Sequence, residues 1–86
     1  MRDTDYAEEL GEAGTITFPS GSEGRIERLF IKKAGVEAIR FSWWKEGNLV
    51  PRPLDATEEE LLRLFEDAIP KGVFTSDFKN KLKALL

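Results

Sequence analysis

Eighty-six residues are enough for one domain. A chain this short hides about 60–65% of its unfolded surface on folding, so its core is small and would gain from being shared in a dimer. A hydrophobic fraction of 41% beside 34% charged residues excludes a disordered chain. The absence of Cys and His excludes disulfides, thiolate or imidazole metal sites, and any Ser-His or Cys-His nucleophile.

Residues 1–13 are acidic, with Glu8, Glu9 and Glu12 and few apolar anchors, and read as a flexible arm or a short helical turn without a tertiary role. They lack the apolar core of a signal peptide, and apolar runs throughout fall far short of the ~20 residues of a membrane span. The expectation is a cytoplasmic protein with no membrane partner. Thr15-Ile16-Thr17-Phe18 alternates polar and apolar, which predicts a strand, and Pro19 to Gly24 is turn chemistry.

Arg25 to Lys33 supports two readings. Ile26, Leu29 and Phe30 have helical spacing, with Ser22 as a cap. Leu29-Phe30-Ile31 followed by Lys32-Lys33 reads equally as a strand. The strand is preferred, because Ala34-Gly35 then makes a short hairpin into the clearest strand, Val36 to Trp44. There Ile39, Phe41 and Trp43 point to the core, and Arg40, Ser42 and Trp44 point the other way. Lys45-Glu46-Gly47-Asn48 turns the chain. Leu49 and Val50 begin a return strand that Pro51 and Pro53 confine to an edge.

Thr57 with Glu60 forms a capping box ahead of the stripe Leu61, Leu62, Phe65, Ala68 and Ile69, which predicts a helix ending at Pro70-Lys71-Gly72. A second helix follows, capped by Thr75 or Ser76. Its Phe78, Leu82 and Leu85 repeat on one side, and Lys79, Lys81 and Lys83 lie mainly on the other. The order predicts an α+β domain over residues 14–86, a small antiparallel sheet of three to four strands followed by two C-terminal helices that cover one of its faces.

Charge is segregated along this order. Residues 1–23 carry six acids and one base, residues 24–54 seven bases and three acids, residues 55–69 six acids and one base, and residues 70–86 four bases and one acid. An acidic chain, net −3, can thereby carry a positive face. No phosphate loop and no carboxylate pair with a reason to titrate near neutrality is visible. The expectation is a non-enzymatic binding domain with no cofactor and no metal.

Adjacent aromatics on a strand lie on opposite faces, so Trp44 shares a face with Arg40. Either the fold covers that ring, by helices or by the Pro51–Pro53 segment, or the ring is an exposed platform. Bases stack on such platforms while Lys and Arg track phosphates, the mode of sequence-tolerant single-strand binding. The candidate binding residues are Arg28, Arg40, Trp44, Lys45 and Arg52.

The run Ile39-Arg40-Phe41-Ser42-Trp43-Trp44-Lys45-Glu46-Gly47-Asn48-Leu49-Val50-Pro51-Arg52-Pro53-Leu54, followed by Thr57-Glu58-Glu59-Glu60-Leu61, resembles the core of the positive-cofactor-four family of transcriptional coactivators. The resemblance spans residues 25–69. It implies a four-stranded sheet with a helix, a homodimer, and single-stranded DNA bound on the sheet in transcription. The chain departs from that family at Pro51-Arg52-Pro53-Leu54, where a Gly-rich basic loop is expected, and in its second helix. The competing reading is a small protein-binding regulator, adaptor or mobile-element-encoded inhibitor. Such a module would use Trp44 and Arg52, or its acidic helix, as interface anchors.

Overall fold

The computed structural model describes residues 2–86. Five strands precede two helices: β1 (Ala7–Glu9), β2 (Gly14–Thr17), β3 (Glu23–Ile31), β4 (Val36–Lys45), β5 (Asn48–Val50), α1 (Glu58–Ala68) and α2 (Ser76–Leu85). All pairings are antiparallel, in the order β1-β3-β4-β5, with β2 pairing the other end of long β3. The α+β class is as the sequence predicts, and the preferred strand reading of Arg25–Lys33 holds through Ile31. Short β1 is the additional strand.

The β3–β4 hairpin fixes which side chains share a face. Ile31 pairs with Val36, so Ile26 faces Phe41, Glu27 faces Arg40 and Gly24 faces Trp43. A slip of one residue would exchange the two faces. The β4–β5 turn centres on Glu46 and Gly47, both at positive φ (51° and 80°) between paired Lys45 and Asn48. That is the geometry of a two-residue hairpin whose twist matches its strands. The Pro51–Pro53 segment leaves from edge strand β5, as its prolines require.

The core lies between the sheet and α1. Ile16, Ile26, Leu64, Ala68, Val73 and Phe74 form its buried cluster, with Phe18, Ile39, Leu54 and Phe65 packed against it. Gly14 permits the approach of β2 to α1, since a Cβ there would stand 2.5 Å from the Ala68 Cβ and 2.7 Å from its Cα. Asp67 reinforces the contact by accepting the Thr15 amide at 2.7 Å. Thr57 caps α1 as its sequence predicts: the Glu60 amide donates to Thr57 Oγ1 (3.1 Å) and the Thr57 amide to Glu60 Oε1 (2.9 Å). Of the two candidate caps of α2, Thr75 accepts the Phe78 amide at 3.2 Å.

Three expectations are corrected. The acidic N-terminus has a tertiary role: β1 extends the sheet, Ala7 is buried, and an antiparallel bridge between Asp3 and Glu8 folds residues 2–4 back alongside β1. Phe41, placed on the core side, is 47% exposed, because α1 packs on β2 and β3 and does not reach over β4. The apolar side of α2 does not enter the core, and none of the helix's described residues is buried. No described helix is long and apolar enough to cross a membrane.

Candidate functional site

The face of the sheet away from α1 carries Arg25, Glu27 and Leu29 from β3 and Arg40, Ser42 and Trp44 from β4. Trp44 shares this face with Arg40, as strand alternation predicts, but the exposed platform does not form. Trp44 is 3% exposed. The Arg25 guanidinium lies 4.0 Å from its ring centroid and that of Arg2, from the folded-back N-terminus, 5.1 Å. Both gain cation–π attraction and remove the ring from water.

Beneath the ring runs a buried polar chain. Trp44 Nε1 donates to Ser42 Oγ at 2.8 Å, and the Ser42 hydroxyl donates to Glu27. Arg40 closes the chain with an ion pair to Glu27 at 2.8 Å and a longer one, 3.7 Å, to Glu9 of β1. Glu27 is 2% exposed. Burial alone would raise its pKa, but the bonds from Ser42 and Arg40 outweigh burial and hold the carboxyl below the ordinary range. The group is thus a fixed anion whose charge is already answered. A buried anion of this kind demands its partners, because removing one leaves an uncompensated charge in a poor dielectric.

Two of the five candidate residues, Arg40 and Trp44, meet in this network. Arg28 points to the opposite face, where its Nε donates to the Val73 carbonyl (2.8 Å) and its Nη1 pairs with Glu37 (3.0 Å). Lys45 and Arg52 are exposed near edge strand β5. Sequence reasoning missed Arg2, Arg25 and Glu27. Cross-strand register gave the available clue to Glu27, since a hairpin pairing Ile31 with Val36 must set Glu27 opposite Arg40.

A second surface has the opposite character. Phe74 anchors the helical end of the molecule, with the Phe65 ring edge-on at 5.3 Å and the Phe78 ring at 5.2 Å. Past this cluster apolar side chains face outward. Leu62 and Ile69 of the α1 region are exposed, as is Phe78, and Leu85 and Leu86 are 83% and 98% exposed. A groove of about 390 Å³ runs between Ile69 and α2, lined also by Lys79, Leu82, Lys83 and Leu86. The acids Glu58, Glu59 and Glu66 stand on the exposed side of α1, and Lys81 and Lys83 are exposed on α2.

Among the described residues no group of three or more acidic side chains is placed to hold a metal ion. Asp67 is, like Glu27, held below the ordinary carboxylate range, by the Lys71 ammonium at 2.7 Å and the Thr15 amide. Neither is poised to give up a proton near neutrality. No protein-family model, curated protein or solved structure matches the chain.

Proposed function

We propose that this domain is a non-enzymatic protein-binding module that recognises its partner through the exposed apolar side of α1 and α2. The observation that carries this reading is α2 itself. A ten-residue helix is marginal in water without tertiary packing, and this one exposes Phe78, Leu85 and Leu86 while burying none of its described residues. Clustered apolar surface beside charged side chains is characteristic of protein interfaces. A photo-cross-linking side chain at position 85, activated in living cells, tests it. Discrete protein adducts that vanish in a Leu82→Asp variant are expected. Adducts with nucleic acid alone, or none, would overturn the reading.

A second reading, single-stranded nucleic-acid binding of the coactivator type, is favoured by one observation: Arg2 and Arg25 lie over Trp44, and Arg40 joins it on the same sheet face through Glu27 and Ser42. Guanidiniums beside an indole are the chemistry that grips bases and phosphates. In this reading the N-terminal segment swings aside and bases take its place on Trp44. Tryptophan fluorescence titrated with a short oligonucleotide at about 50 and then about 200 mM salt decides it. Quenching that weakens at the higher salt supports it, and a flat trace at both eliminates it.

A further inference from the structure

The helical surface has two charge poles, and they are complementary. Along α1 the exposed leucine Leu62 lies among Glu58, Glu59 and Glu66, with Arg63 as the one base of the helix. Along α2 the apolar residues Phe78, Leu82 and Leu85 lie between Lys79 and Lys81, with Lys83 beside them, and the one acid of the helix, Asp77, is paired with Lys81 at 3.0 Å. That pair is exposed at both ends and yields readily to a better partner. Ile69, two turns beyond Leu62 on the same side of α1, lines one groove with Lys79, Leu82 and Lys83, so the acidic apolar strip and the basic apolar strip meet at that groove.

From this juxtaposition we infer that the occupant of the apolar surface is a second copy of the same chain, with α2 of each protomer laid on α1 of the other. The inference rests on the protein-binding reading and names its partner. Two-fold symmetry fits the charge pattern. An isologous interface makes every contact twice, so the lysines of each α2 meet the glutamates of the opposite α1 in both halves. Leu82, Leu85 and Leu86 then lie against Leu62 and Ile69 of the other copy and leave water. Such burial is the main source of affinity, while the flanking charges set orientation and speed of encounter. A small core gains most from being extended in this way. A surface of one sign would repel its own copy, whereas this surface carries both signs on separate helices.

Two charge-reversed chains test the inference. One carries Lys79→Glu, Lys81→Glu and Lys83→Glu, so both its helices are acidic. The other carries Glu58→Lys, Glu59→Lys and Glu66→Lys, so both are basic. Sedimentation velocity across a concentration series is expected to show wild-type dimers that weaken with added salt. Each reversed chain alone should be monomeric, and an equimolar mixture should form a heterodimer. Far-UV circular dichroism confirms that each variant is folded. Leu82→Asp, which leaves the charge pattern intact, should weaken wild-type dimerisation by about 30-fold or more, the scale of a central interface anchor. A wild-type chain that stays monomeric throughout, or reversed chains that self-associate like wild type, would overturn the second copy as occupant. The two failures separate cleanly: a monomeric wild type that still yields Leu82-dependent protein adducts at position 85 retains the protein-binding reading, with a different partner.

Discussion

The two ends of this molecule handle apolar and charged side chains in opposite ways. On the sheet, Trp44 is covered by Arg2 and Arg25, and the charge of Glu27 is answered by Arg40, so the binding potential of that face is turned inward. On the helices, Leu62, Phe78 and Leu85 stay in water, with Glu58, Glu59 and Glu66 along α1 and Lys79, Lys81 and Lys83 along α2. Residue type alone does not tell these situations apart, because a tryptophan among arginines and a leucine stripe among lysines are both binding chemistry. The difference lies in whether the chain supplies its own cover.

The comparison breaks most easily at Arg40. Arg40→Ala leaves Glu27 ionised and buried without its ion pair, and should cost roughly 3–5 kcal/mol. Urea denaturation measures it, and a change below about 1 kcal/mol would mean that the network is not closed as described. Gly14→Ala comes next. Its Cβ meets the Ala68 backbone as well as the side chain, so β2 or α1 must shift, at a cost of about 1–3 kcal/mol by the same measurement.

Acid sharpens the same end. The pKa of Glu27 is lowered on folding from an ordinary value of 4.5. Between the two values the unfolded chain binds more protons than the folded one. The contribution of Glu27 is therefore complete above 4.5 and is lost as pH falls through the lower folded value. Asp67, also lowered, acts in the same direction. Urea midpoints should be level above that window and fall below it, and Glu27→Gln should flatten part of the fall. The smallest effect belongs to the other end. Leu85→Asp should change the stability of the monomer by less than about 0.5 kcal/mol, because the side chain is 83% exposed, while abolishing the association seen by sedimentation.

Much of the fold is legible in the sequence because local chemistry and global packing agree. Thr57 and Glu60 mark the start of α1, Gly47 and Asn48 mark a turn, and the alternation from Ile39 to Trp44 assigns faces. Lys45-Glu46-Gly47-Asn48 turns the chain as its composition predicts, with Glu46 in the left-handed conformation along with Gly47. Burial was less legible. Strand alternation places Trp44 on the face of Arg40, yet the cover comes from Arg25 across the hairpin and from Arg2, forty-two positions away in sequence. Nothing in the period of the acidic N-terminus announces Ala7–Glu9 as a strand. Three residues are too few to show alternation, and β1 exists because long β3 offers it an edge. The spacing on α2 predicts an amphipathic helix, and α2 is one. Its period cannot say whether the apolar side meets the chain's own core or another molecule, since both demand the same spacing.

Hydrogen exchange followed at rising protein concentration tests the contrast most directly. The backbone amides of β3 and β4 beneath Trp44 should be protected to the same degree at every concentration, whereas those of α2 from Lys79 to Leu85 should become slower as copies meet. Fast, concentration-independent exchange in α2, or exchange in β4 that is as fast as in α2, would contradict it.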